Sequence, residues 1–203
     1  MRDLLLVGLG SALLGSVPWA YILVKVTTGL DIRQAGDGNV GARNAWRVAG
    51  APVGLLVLAL DSGKGGLACA LAQRHGTDWV RLYLAGVAVL IGHAFTPWLA
   101  FHGGKGLAAV AGFAFILWPI STTAGVLVLL TLGLRKGPFD QRFAAAVVTT
   151  LLVSWLIEHN DLLGSGLLIL LLCLAGIKKL LDIPRERDLR AATPNGIGRR
   201  AND

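Results

Sequence analysis

Charge is scarce in this chain. Asp, Glu, Lys and Arg make up 15% of its 203 residues, against 54% apolar residues, which argues against a soluble domain. Cysteine is nearly absent. Cys69 and Cys173 both lie in apolar segments and lack CxxC-like spacing, so neither zinc nor a disulfide is indicated, and both read as buried free thiols. No basic stripe interleaves with aromatics, so the net charge of +7 is not a nucleic-acid signal. The N-terminal apolar run reaches about Val26, longer than a usual signal core, and no clear small-x-small cleavage site follows it, so it reads as a retained first span. The Gly-Lys pairs at 63–64 and 104–105 are not Walker A loops. No Gly stands five residues before either pair, and no Ser or Thr follows the lysine.

What the chain does have is a series of apolar runs near the roughly 18–20 residues a helix needs to cross a bilayer. The expected fold is all-α, a polytopic membrane protein of about seven transmembrane helices. Spans one to three are read at 4–26, 50–72 and 82–101. Pro18 kinks the first, and Pro97 bends or ends the third. Spans six and seven are read at 143–157 and 162–181. The run 107–134 is either one span or two short ones divided at Trp118-Pro119. Positive-inside bias decides for two. The basic segments 27–48, 102–106, 135–142 (Arg135, Lys136, Arg142) and the tail, with Arg190, Arg199 and Arg200, then share one side. The N-terminus is expected outside and the C-terminus in the cytosol. Residues 1–181 form a single integral membrane domain, and 182–203 a basic cytosolic tail on anionic headgroups or disordered.

Two polar, glycine-rich stretches interrupt this apolar background. The first is the loop 27–48. Gly36, Gly38 and Gly41 permit a concave nest of backbone N–H groups. Arg33, Arg43 and Arg47 add forked donors suited to phosphate, and Asn39 and Asn44 offer both donor and acceptor. The second is Gly103-Gly104-Lys105-Gly106, just before a helix expected at Leu107. There unpaired N–H groups and the dipole favour an anion. Both read as phosphate-binding loops. Asp61 and Lys64 share a face of span two, as an intramembrane ion pair or as cavity-lining groups. His93, near the second loop, is a hydrogen-bonded structural residue or a site residue.

Together these residues resemble a known family. Gly15-Ser16-Val17-Pro18, Asp31-Ile32-Arg33, Gly36-x-Gly38-Asn39-x-Gly41-Ala42-x-Asn44 with Arg47, Asp61-x-x-Lys64-Gly65, and Gly92-His93-x-Phe95-x-Pro97 leading to Gly103-Gly104-Lys105-Gly106 are similar to the PlsY-type bacterial acyl-phosphate:glycerol-3-phosphate acyltransferases. The resemblance covers about residues 10–112. It implies an inner-membrane enzyme with seven spans and its motifs on the cytosolic side. Such an enzyme transfers an acyl group from acyl phosphate to the 1-hydroxyl of glycerol 3-phosphate and yields lysophosphatidic acid. No cofactor or metal is implied, and the partners are the two substrates and membrane lipids. There are departures. Asp37 stands where that family usually has serine, Arg43 where threonine is usual, and Ala109 replaces a threonine. The family's serine-bearing later segment is not evident in 135–150, nor is its tail motif His-Arg-x-Asn-Ile after span seven.

On this reading Asn39, Arg47, His93 and Lys105 are the catalytic candidates. Arg33, Gly36, Asp37, Gly38, Gly41, Arg43, Asn44, Lys64, Gly103, Gly104 and Gly106 hold substrate phosphate. The base is His93, Asp37 or a phosphate oxygen of the donor. Asp37 is expected either to repel phosphate or to pair with Arg43. No histidine is followed by Asp after four residues, which argues against the acyl-CoA-dependent class. Two alternatives stand beside this reading. One is a CDP-alcohol phosphotransferase-like enzyme, on the strength of Asp37-Gly38-x-x-x-Ala42-Arg43. The other is a non-enzymatic carrier of a phosphorylated solute, although no internal repeat is evident.

Overall fold

The computed structural model describes residues 1–133, 139–159 and 161–192. Among these, every regular element is helical. The expected basic residues Arg135, Lys136, Arg199 and Arg200 lie outside the described residues.

The first apolar run forms two helices, α1 (Arg2–Ser16) and α2 (Trp19–Thr28), broken at Val17-Pro18 as Pro18 predicts. A break at this depth leaves carbonyls without helical partners, and other segments supply donors. Ser16 Oγ donates to Leu13 O, Thr96 Oγ1 to Ser16 O at 2.5 Å, and Lys64 Nζ to Gly15 O and Val17 O at 3.0 and 3.1 Å. The stretch after α2, expected as loop to residue 48, contains a helix, α3 (Ala42–Ala49). Ala45 is buried there, while Arg43 and Arg47 are exposed. The polar composition of ARNAWRVA conceals an amphipathic period of 3.6.

Next come α4 (Ala51–His75) and α5 (Trp79–Ala94), followed by a 3-10 turn at Pro97–Leu99. At 1.5 Å per residue α4 is about 37 Å long, enough for a hydrocarbon core of roughly 30 Å. Among the described residues, Arg2–Thr28, Ala51–His75 and Trp79–Leu99 are long and apolar enough to cross a membrane. The run after the second glycine loop is split at Trp118, as expected, into α6 (Leu107–Leu117) and α7 (Pro119–Gly133). Pro119 opens α7, where its missing N–H costs nothing. The Glu158 carboxylate, just beyond α8 (Phe139–Leu156), caps that end by accepting from Ile120 N and Ser121 N at 3.0 and 3.1 Å. The last helix, α9 (Leu162–Ala192), runs past residue 182 and through Pro184, where the sequence suggested a tail on headgroups or disorder.

Close backbone approaches fix the centre. A Cβ on Gly15 would lie 2.1 Å from Val89 O, and one on Gly92 2.1 Å from Ala12 O, so α1 and α5 touch backbone to backbone. Gly65 and Gly112 do the same for α4 and α6, against Ala109 O and Ser62 O. Around these crossings Val7, Ala68, Cys69, Val89, Phe113, Leu167 and Leu171 form the main apolar core.

The outside is unlike that of a soluble protein. Leu5, Leu9, Leu13, Leu127, Leu130, Leu152, Leu156 and Ile169 are exposed, while Asn44, Asp61, Lys64, His93 and Thr96 are buried. Such a surface belongs in lipid, and the chain is a helical membrane protein. Cys69 is buried as expected, but Cys173 is exposed on this apolar outer surface. Spacing within an apolar run cannot tell a lipid-facing position from a core position.

Candidate active site

Loop one, residues 29–41, is held by three side chains. Asp31 Oδ1 accepts the Arg33 backbone N–H at 2.9 Å and is joined by the Arg33 guanidinium, with Nη2–Oδ2 at 2.7 Å. This pairing with Arg33 holds the Asp31 carboxyl below its usual range, against the opposing effect of partial burial. The Arg33 guanidinium also lies over the Tyr21 ring, 5.4 Å from its centroid. Asn44, fully buried on α3, reaches back into the loop. Its Nδ2 donates to Ala35 O at 2.9 Å, Asn39 O at 3.1 Å and Ile32 O at 3.3 Å, and its Oδ1 accepts Asp37 N at 3.0 Å. Gly36 (φ 65°) is the residue this geometry requires, because a Cβ there would sit 2.0 Å from Asn44 Oδ1. The third tie is Asp37. Its Oδ1 accepts Asn39 N at 3.2 Å, and its Oδ2 lies 2.7 Å from Arg47 Nη1.

Loop two, residues 100–106, is held by the backbone. Gly103 N donates to Ala94 O and Gly104 N to His93 O, so the chain folds back onto the end of α5. Ala100 and Phe101 sit at positive φ (51° and 63°), a costly conformation for side-chain-bearing residues. The turn is fastened by Phe101 N to Thr96 O and His102 N to Leu99 O. A Cβ on Gly104 would stand 2.2 Å from Val40 O and 2.5 Å from His93 Nε2. Loop two therefore presses directly on loop one, at Val40, and on His93.

Where the loops meet there is a small cleft. It is lined by Val17, Pro18, Trp19, Ala20, Val40, Asp61, Lys64, His93 and Gly104. His93 is 7% exposed, and its Nδ1 is buried without a hydrogen-bond partner. Asn39 Oδ1 is likewise buried and unpartnered. Buried polar atoms left without a protein partner are where a ligand or ordered water is expected to bind.

The sequence-derived candidates divide in two. Gly36, Asp37, Gly38, Asn39, Gly41, Arg43 and Arg47 lie on loop one and α3; His93, Gly103, Gly104, Lys105 and Gly106 lie at loop two. Arg43 and Arg47 are exposed, and Lys105 is half-buried. The other three, read from sequence as phosphate ligands, are engaged elsewhere. Asn44 spends its amide on the loop backbone, and Arg33 is paired with Asp31. Lys64 directs its ammonium at Gly15 O, Val17 O and Asp61 Oδ1, the last at 3.0 Å. Asp61 and Lys64 form an ion pair, and both line the cleft. Sequence reasoning missed the wall at Trp19, Ala20 and Val40. Backbone carbonyls leave no residue-type signal, although Gly104 marked the close approach.

A helical membrane protein with two glycine loops closed over a buried histidine is the class these features define. The family model described as Glycerol-3-phosphate acyltransferase matches residues 5–185. A protein of Synechococcus sp. (strain JA-3-3Ab) with the same name is 38% identical over 173 residues, 85% of this chain and 81% of that protein. One from Zymomonas mobilis is 34% identical over 195 residues, covering 86% and 91%. Among solved structures, PlsY (YgiH), described as an integral membrane glycerol 3-phosphate acyltransferase, is similar in its glycerol 3-phosphate form. The TM-score is 0.77 at 28% identity, covering 95% of this chain and 94% of that one. Its lysophosphatidic acid form gives 0.75 at 27% identity. The chain belongs to the glycerol-3-phosphate acyltransferase family. That membership replaces the CDP-alcohol phosphotransferase and carrier alternatives.

Proposed function

We propose that the protein transfers a fatty acyl group from acyl phosphate to the 1-hydroxyl of glycerol 3-phosphate, forming lysophosphatidic acid and inorganic phosphate. The observation that carries this reading is the contact of the two glycine loops at Val40, His93 and Gly104. Both proposed substrates carry phosphate, and one loop serves each. Arg47 and Arg43 on α3 receive one phosphate, while Lys105 and the N-terminus of α6 receive the other; the N–H groups of Gly38, Gly41, Gly103 and Gly104 hold the loops themselves. The acyl chain lies along the apolar outer surface.

In this mechanism the hydroxyl oxygen attacks the acyl carbonyl. The new ester C–O bond forms as the bond to the phosphate oxygen breaks. The hydroxyl proton passes to His93, whose unpartnered ring nitrogen supports that role, and then to the departing phosphate. Asp37 is the weaker candidate base, since Arg47 and Asn39 N already occupy its carboxylate. Lys105 and the first N–H groups of α6 stabilise charge on the carbonyl and leaving group, and most of the acceleration comes from positioning. Phosphate is a good leaving group, so no acyl-enzyme is needed.

The finer topology belongs to the same proposal: seven spans in the bacterial inner membrane, N-terminus outside, with both loops and the C-terminus cytosolic. Supporting it are the breaks at Pro18 and Trp118 and the clustering of basic residues in the loops that form the site.

The test is product formation by purified protein with glycerol 3-phosphate and no added metal, with palmitoyl phosphate and palmitoyl-CoA as parallel donors. Lysophosphatidic acid from the acyl phosphate alone is expected. Product from the CoA ester alone, or full activity in both Lys105→Ala and Arg47→Ala, overturns the reading.

A further inference from the structure

We infer that the Asp37 carboxylate is a built-in competitor for the substrate phosphate at Arg47, and that it sets how tightly and how selectively the acceptor binds. The inference rests on the reading that Arg47 receives the phosphate of glycerol 3-phosphate.

Asp37 Oδ2 lies 2.7 Å from Arg47 Nη1, and Oδ1 accepts the Asn39 backbone N–H at 3.2 Å. A guanidinium and a backbone N–H within a nest are the partners that two phosphate oxygens would take. The flanking glycines, Gly36 and Gly38, hold the positive φ angles (65° and 72°) that such a nest requires. The carboxylate therefore occupies, from within the chain, an anion site of the kind the loop otherwise offers to substrate. Its side chain is 18% exposed, while that of Arg47 is 47% exposed, so the carboxylate sits inside and the guanidinium faces outward.

The backbone of Asp37 is fixed independently, by its N–H to Asn44 Oδ1. Only the side chain has to swing aside for a phosphate to enter. A phosphate dianion carries more charge and more acceptor oxygens than a carboxylate and displaces it. A neutral polyol offers the guanidinium only uncharged hydroxyl acceptors, which do not displace a carboxylate, and it leaves the pair closed. Asp37 thus trades affinity for selectivity, and it acts through Arg47 as a positioning residue.

The test uses the full chain in detergent or lipid. Asp37→Asn keeps the shape and the acceptor for Asn39 N–H but removes the charge. An exposed ion pair is worth up to about 1 kcal/mol, which corresponds to a change in KM of about three- to fivefold. The KM for glycerol 3-phosphate is expected to fall by that factor. The KM for palmitoyl phosphate should move by less than about twofold. Turnover of unphosphorylated glycerol should rise relative to wild type. Asp37→Ser is run in parallel, with thermal unfolding of both variants, and should shift KM the same way. A folded variant whose KM for glycerol 3-phosphate is unchanged or raised overturns the inference alone, with the wild type still active. A wild type that makes no lysophosphatidic acid removes the underlying reading, and the inference with it. A parallel loss of kcat, both KM values and stability makes Asp37 a merely structural tie and also overturns it.

Discussion

Loop one carries its own ties, whereas loop two takes its shape from the helix before it. In the first, Asp31, Asp37 and Asn44 satisfy backbone groups from within some fifteen residues of sequence. In the second, the carbonyls of His93 and Ala94 at the end of α5 accept Gly104 N and Gly103 N, and the space left over admits no side chain. The two designs fail in opposite ways. Loop one breaks when a side chain is taken away, and loop two when one is added. Both meet at Val40, so damage to either should reach the same cleft.

The largest effect is expected from adding a single methyl to loop two. In Gly104→Ala the new Cβ falls on Val40 O and His93 Nε2, groups that a rigid helix end and the neighbouring loop hold in place. Acyltransfer should fall by about a hundredfold or more, equivalent to about 2.7 kcal/mol of transition-state stabilisation. Stability in thermal unfolding should fall as well, by about 1–3 kcal/mol, because the Val40 carbonyl cannot move aside freely. A Gly104→Ala protein with more than half of wild-type turnover would mean that the loops do not need this contact.

The converse change in loop one is Asn44→Ala. It leaves the Asp37 N–H without its acceptor and takes one of two donors from the carbonyls of Ile32, Ala35 and Asn39, and should cost about 1–3 kcal/mol of stability. Here the melting temperature falls together with activity. Asn44→Asp retains the acceptor for Asp37 N but loses the donors, so it should not restore stability. If Asn44→Ala instead melts like wild type while the KM for glycerol 3-phosphate rises sharply, Asn44 is a substrate ligand after all, as its residue type suggested.

That last contrast marks where sequence stops being informative. The helix breaks were legible because Pro18 and Pro119 cannot continue a hydrogen-bond ladder. The polar loops were legible because glycine and arginine stand out against apolar spans. The shared face of Asp61 and Lys64 follows from a three-residue spacing. What an asparagine or lysine donates to is a different matter. Asn44 and Lys64 carry the same groups whether they bind substrate or cap orphaned carbonyls, and only the third dimension tells these apart. The orphaned carbonyls themselves come from breaks that the sequence does announce. A buried helix break therefore implies a nearby donor side chain even when it does not say which. The run of α9 through Pro184 was hidden for a related reason: a proline and a charged composition usually end a membrane helix, but neither forbids continuation where the lost bond is exposed.

A smaller effect separates the loops through Thr96, which belongs to the scaffold of loop two. Its hydroxyl donates to Ser16 O at 2.5 Å, and its carbonyl accepts Phe101 N. Thr96→Val keeps the shape and removes the donor, leaving a buried carbonyl at the α1 break. A loss of about 1–2 kcal/mol is expected in thermal unfolding, with the KM for glycerol 3-phosphate nearly unchanged. A rise in that KM comparable to the one from Arg47→Ala would show that the α1 break positions loop one as well, and the two loops would no longer count as separately fastened.

The smallest effect is electrostatic and belongs to loop one alone. The Asp31 carboxyl is held below its ordinary value of 3.8 by its hydrogen bonds with Arg33. With the folded value below the unfolded one, the unfolded chain binds the proton more readily. The pair therefore contributes stability at pH above about 4, and that contribution is lost as the pH falls through the folded value. The site is partly exposed, so the whole contribution should be under about 1 kcal/mol. Comparing wild type with Asp31→Asn in thermal unfolding at pH 7, 5 and 3 checks it. The difference between the two proteins should be constant at pH 7 and 5 and shrink at pH 3. A difference that stays the same at pH 3 would assign the effect to the Asp31 backbone turn rather than to its charge. The bonds of Gly103 N to Ala94 O and Gly104 N to His93 O in loop two join groups that do not titrate, so Asp31→Asn probes loop one separately from them.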